Sequence, residues 1–103
     1  GDPSRALEHA RSALALDPKA DGALFQQGRA YDRQGDLDAA VKALNAAIVL
    51  NPRASSYYYV LAGVYRRLGR MDDSRKALEA FQKLEQESTE LEKKRRATGT
   101  GRD

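Results

Sequence analysis

A single histidine, His9, and the absence of cysteine leave this chain of 103 residues little with which to do covalent or metal chemistry. His9 lies beside Glu8 on an alanine-rich stretch, with no second ligand at metal spacing and no phosphate-cradling glycine loop anywhere in the chain. The reading is therefore non-catalytic, with no metal and no cofactor. What the residue types do offer is recognition. Phe25, Arg29, Asp32 and Arg33 follow Gly22 at helical steps, and Tyr59, Gly63, Arg66 and Arg67 follow Ser56 in the same way. Aromatic and arginine side chains dominate binding hot spots, because they bury a large area and arginine forks onto carboxylates. A ligand with an apolar side chain and a nearby acid, or a chain-terminal carboxylate, would suit Phe25, Arg29, Arg33, Tyr59, Arg66 and Arg67. The competing reading is that the two aromatics pack between units and the arginines solvate a helix face.

A second basic cluster, Lys93-Lys94-Arg95-Arg96, invites nucleic acid or an anionic membrane surface. Local chemistry argues against it. Glu85, Glu87, Glu90 and Glu92 precede the cluster and offset most of its charge, basic residues complement a helix C-terminus, and no aromatic is interleaved for base stacking. The net charge of +3 is concentrated after residue 92. With 32% charged residues and a mean hydropathy of -0.72, the chain contains no apolar run that could span a membrane. Gly1-Asp2-Pro3-Ser4 has neither the basic nor the apolar part of a signal peptide, and reads as a cut through a longer chain. The default expectation is a soluble, cytoplasmic setting; the compartment itself is unknown from these residues.

Five helices must carry these side chains. Asp2-Pro3 opens the first, and Asp17-Pro18 stops it near Leu16. The second runs from about Ala20 to Arg33 with Leu24, Gln27, Gly28 and Tyr31 on one stripe, and Gly35 supplies the positive φ of a C-terminal cap. Gly28 costs roughly 1 kcal/mol against alanine in mid-helix, which close approach of a neighbouring helix would explain. The third helix, about Leu37 to Val49, turns Ala40, Ala43, Leu44, Ala47 and Ile48 inward. The fourth covers about Ala54 to Leu68. There the string Tyr57-Tyr58-Tyr59 is split by helical geometry, Tyr58 to the core and Tyr59 to the functional stripe, with Tyr57 against the preceding unit. The fifth begins near Met71, buries Leu78, Phe81 and Leu84, and continues as one long helix to about Ala97, unless Thr89 and Glu92 form a capping box that starts another.

The chain also repeats. Pro18 and Pro52, Ala20 and Ala54, Tyr31 and Tyr65, and Gly35 and Gly69 all stand 34 residues apart, as do Asp38, Lys42, Ala43, Leu44, Ala46 and Leu50 with Asp72, Lys76, Ala77, Leu78, Ala80 and Leu84. From Asp21 onward, Leu24, Gly28, Tyr31, Ala40, Leu44, Ala47 and Pro52 occupy the signature spacing of the tetratricopeptide repeat family, with leucine where tryptophan is more usual. Tyr58, Ala62, Tyr65, Ser74, Leu78 and Phe81 fill those places again, and Gln86 replaces the closing proline. Ala6, Ala10, Ala13, Leu16 and Pro18 resemble the second half of a further unit, so the resemblance covers residues 3 to 84.

The resemblance implies an all-α fold: helix-turn-helix repeats stacked as a short right-handed α-solenoid, with a long C-terminal helix. It divides the chain into a tetratricopeptide repeat domain at 1-97 and a flexible tail at 98-103. The domain comprises a half repeat at 3-18, repeats at 19-52 and 53-86, and a helical extension at 87-97. In the family, the stripe holding Phe25 and Tyr59 lines a concave groove for extended peptides or helices. The implied function is a protein-protein interaction scaffold with a protein or peptide partner. Members that clamp a chaperone's terminal carboxylate use lysine and asparagine where this chain has Phe25, Arg29, Tyr59 and Gly63, so that activity is not implied. A half repeat leaves an apolar stripe without its partner helix. Leu7, Ala10 and Leu14 are then expected to be exposed for a missing upstream helix or for a homo-oligomer. In this alternative the module self-associates through that half repeat or through the C-terminal helix, although Leu84 and Leu91 alone make too short a seam for a coiled coil.

Overall fold

Proline, glycine and aspartate punctuation sets where each helix begins and ends. The computed structural model describes residues 2–100, with side chains through residue 98. The Asp2 carboxylate accepts the Ser4 N–H at 3.0 Å, and Pro3 opens α1 (Pro3–Leu16). Asp17, extended at φ -144° ahead of Pro18, ends it. α2 (Asp21–Gln34) closes on Gly35 at φ 81°, a left-handed conformation in which a Cβ would be strained. Asp36 caps α3 (Leu37–Leu50) through the Ala39 N–H at 3.3 Å. α4 (Ser55–Arg67) is followed by Gly69 at φ 77°, and α5 (Met71–Thr100) is the last element among the described residues.

Each helix packs on the next, and α2 also meets α4 directly. The result is the stacked helix-turn-helix solenoid that the period implies. Its core is Ala40, Leu44, Leu61 and Val64, with Phe25, Tyr31, Leu37, Val41, Ile48, Val60, Tyr65 and Leu68 around them. Gly28 is explained by this packing. A Cβ there would lie 2.7 Å from Leu44 Cγ, so the glycine is what lets α3 seat the fully buried Leu44 against α2. In the next unit Ser74 takes the place of Ala40, and its hydroxyl is satisfied by donating to the Ala62 carbonyl at 2.8 Å.

Three expectations change. Leu7 and Ala10 are only 8% and 3% exposed and Leu14 is half-buried, because their stripe faces α2, the one helix that α1 packs against. They are therefore internal contacts of the hairpin and not an open self-association surface. The buried tyrosine of the string is Tyr57, at 8% exposure, while Tyr58 is half-buried and donates its hydroxyl to the Pro52 carbonyl at 2.9 Å. Finally, residues 98–100 continue α5 where a tail was expected. The Thr98 hydroxyl bonds the Lys94 carbonyl at 2.8 Å, and no helix breaker precedes Gly99. The rest of the expected tail, 101–103, lies outside the described residues.

α5 has two halves. From Met71 to Leu84 it packs on α4; from Glu85 to Thr98 every side chain is exposed. The Thr89 hydroxyl bonds back to the Glu85 carbonyl at 3.0 Å, so no capping box interrupts the helix. At the start of the outer half Glu85 accepts from the Ser55 hydroxyl at 3.3 Å and Glu87 from Arg53 at 3.2 Å. Beyond them the helix carries its own ladder, Lys93 to Glu90 at 3.8 Å, and Arg95 and Arg96 to Glu92 at 3.9 and 3.7 Å. These pairs also answer the basic cluster locally.

Candidate partner-binding groove

α2 and α4 lie side by side, and the repeat sets their matching positions next to one another. Between them and the first turns of α5 is an open groove of about 690 Å³. Arg29 and Arg33 reach it from α2, and Tyr59, Arg66 and Arg67 from α4; Met71, Arg75 and Leu78 close the α5 side. Five of the six residues expected to form the site are thus brought together. The α5 wall was not expected, although the equivalence of Leu78 with Leu44 was its signal.

Phe25 is the exception. Its ring stacks on Tyr57 of α4, centroids 4.6 Å apart and planes inclined by 26°, so it belongs to the joint between repeats. Arg29 lies 5.8 Å from the Phe25 ring centroid and covers it from the groove side. Tyr59, its counterpart one repeat later, tilts against Phe81 at 5.0 Å and remains 58% exposed. One aromatic anchor is therefore taken up by packing and one stays open.

The arginines also divide. Arg67 forks onto Asp32, with Nη2 at 2.6 and 2.5 Å from the two carboxylate oxygens and Nε at 3.1 Å from Oδ1. Asp32 is the less exposed partner, at 20% against 52%, so this pair ties α2 to α4. Among the described residues, Arg29, Arg33 and Arg66 have no carboxylate partner. The groove keeps three positive charges and one half-open aromatic ring.

A second α2–α4 joint lies at the opposite end of the helices. The Asp21 carboxylate accepts from the Tyr57 hydroxyl at 2.5 Å and from the Asn51 amide at 3.1 Å. These two bonds, Tyr57's first, hold the Asp21 carboxyl below its ordinary range. Burial, and then the bond to Asp21, pushes the Tyr57 phenol up to about 12. This joint was not foreseen beyond a Tyr57 contact, since Asp21 marked only the start of the repeat unit.

Among the described residues no cluster of histidine, cysteine or carboxylate groups could hold a metal, and no helix is long and apolar enough to cross a membrane. His9 sits exposed at an apolar hollow of about 600 Å³ between α1 and α2, lined by Ala6, Ala10, Ala13, Ala20 and Ala23.

A family model described as tetratricopeptide repeat matches residues 1–48 and 25–88. Among solved structures, a crystal structure of MamA is 31% identical with a TM-score of 0.78, over 82% of this chain and 49% of that one. MamA from residue 41 to its end, from Desulfovibrio magneticus RS-1, is 22% identical with a TM-score of 0.78 over 82% and 48%, a likeness of fold alone. The chain spans about half the length of the structures it matches. No curated protein sequence matches it.

Proposed function

The chain belongs to the tetratricopeptide repeat family, and from that premise we propose that it is a non-catalytic protein-interaction scaffold whose concave groove binds a peptide or partner helix bearing acidic groups. One observation carries this reading: Arg29, Arg33 and Arg66 line the groove with the open Tyr59 ring and, among the described residues, have no carboxylate partner, since Asp32 is taken by Arg67. Charge complementarity steers an acidic ligand to these arginines and fixes its register, whereas a basic ligand is repelled. Tyr59 supplies the apolar anchor. The test is a pull-down in which the Arg29→Glu, Arg33→Glu variant is compared with the parent chain after circular dichroism shows equal helicity. Loss of the captured partners is expected; an unchanged partner set would overturn the groove reading.

A second reading is self-association, favoured by the apolar hollow between α1 and α2. Its accessible α1 residues are Ala6 and Ala13, half-buried beside the packed stripe of Leu7, Ala10 and Leu14. Dimers in sedimentation that dissociate on Ala13→Arg would support it, and a monomer at high concentration would remove it.

A further inference from the structure

The C-terminal end of the stack presents again a seat that is already filled once inside it. α4 lies against α2 and α3, and one repeat later the corresponding face belongs to α4 and α5. The side chains of the two faces match, but their burial does not. Leu44 is fully buried where Leu78 is 37% exposed, and Leu37 is half-buried where Met71 is 57% exposed. Phe25 is stacked on Tyr57, whereas Tyr59 is 58% exposed. The α4–α5 face has the apolar surface of a helix seat with no helix upon it.

Its charge is reversed. In the inner seat Asp32 receives the fork of Arg67 from the last turn of α4. One repeat on, the position of Asp32 is held by Arg66. A helix seated there as α4 is seated on α2 would need a carboxylate where α4 carries Arg67.

Residues 85–98 do not provide that helix. In repeat register it would begin near Thr89 and bring Leu91 to the place of Tyr57, yet α5 runs straight on and Leu91 is 61% exposed. The outer half of α5 from a second copy is the wrong occupant as well. Laid parallel to α4, it would set Lys93 to Arg96 beside Arg66, like charge against like.

We infer that the α4–α5 end face seats one amphipathic helix of a partner protein, parallel to α4, with apolar residues on Tyr59, Met71 and Leu78 and an Asp or Glu in its last turn paired with Arg66. This rests on the reading of the groove as a partner-helix site, and narrows it to one end of the stack and one charge.

α4 itself supplies the probe, because it already fits the equivalent seat. Two labelled synthetic peptides of residues 53–70, one unchanged and one carrying Arg67→Glu, are titrated with the intact protein and followed by fluorescence anisotropy. The Arg67→Glu peptide should bind about fivefold more tightly, the size of a well-formed exposed Arg–carboxylate pair. Arg66→Asp in the protein, an exposed change, should reverse the preference, and Leu78→Arg should abolish binding of both peptides. Equal binding of the two peptides, or a preference indifferent to residue 66, overturns the charge assignment. Binding of neither peptide overturns the seat. The groove reading fails separately, through a partner set unaffected by Arg29→Glu with Arg33→Glu.

Discussion

Leu44 and Leu78 hold the same place in successive repeats, and only one of them is in a core. Leu44 faces Gly28 on one side and the joint with α4 on the other, and is 0% exposed; Leu78 packs on α4 alone and is 37% exposed. The same residue type with the same local pattern acquires a different role according to whether another helix is stacked beyond it. A repeat's second helix is completed by the first helix of the next unit, so the inner unit is a finished structure and the outer one an open surface.

The difference can be broken most directly at these two leucines. Leu44→Ala should cost about 3 kcal/mol in urea denaturation, and Leu78→Ala about 1 kcal/mol or less; equal losses would mean that the two faces are equally closed. Gly28→Ala comes next, at about 2 kcal/mol, since its Cβ would meet Leu44 Cγ at 2.7 Å and force that side chain or α3 to shift. A neutral or stabilising effect on thermal unfolding would mean that Leu44 has room to move.

Tyr57→Phe should cost about 1 kcal/mol by deleting the hydroxyl bonded to Asp21, whereas Leu91→Ala, at the same place one repeat on, should be silent. The variant also has a pH signature. Because the folded-state phenol is raised from 10.0 to about 12, its contribution is complete below pH 10.0 and is lost as pH rises towards 12. Asp21 acts in the opposite sense: its depressed carboxyl contributes above its ordinary 3.8, and that contribution is lost as pH falls through the lower folded value. Stability measured from pH 9 to 12 should fall less steeply in Tyr57→Phe, and identical slopes would remove the joint from the account. The smallest effect is expected at the salt bridge. Arg67→Ala should cost about 0.5 to 1 kcal/mol, less at high salt, and Arg66→Ala nothing measurable.

The elements are legible in the sequence because their signals are local. Asp2, Asp36, Gly35 and the prolines fix boundaries within a few residues of themselves, and Gly28 signals a close approach by its cost in mid-helix. The joints between repeats are not legible in the same way. The period relates a residue to its copy 34 positions on, but α2 touches α4 through unlike offsets: Phe25 with Tyr57, Asp21 with Tyr57, and Asp32 with Arg67. A rotation of α4 by one residue exchanges Tyr57 for Tyr58 in the core, and the stripe pattern tolerates either. Phe25 shares its stripe with Arg29, and only the stacked ring of Tyr57 shows that it turns away from the groove and towards the joint. The spacing of Leu7, Ala10 and Leu14 marks an apolar stripe on α1; that α2 covers it depends on the packing of the whole hairpin.

The length of α5 between the groove and the basic run separates two electrostatic worlds. Leu78 marks the edge of the groove and Lys93 the start of the basic run, which at about 1.5 Å per residue places them roughly 22 Å apart along the helix axis. The Debye length at physiological ionic strength is about 8 Å, so each basic cluster is screened from the other. An acidic ligand arriving at Arg29, Arg33 and Arg66 feels their field and almost none of the field from Lys93 to Arg96. The chain's isoelectric point of about 9.3 therefore describes neither site.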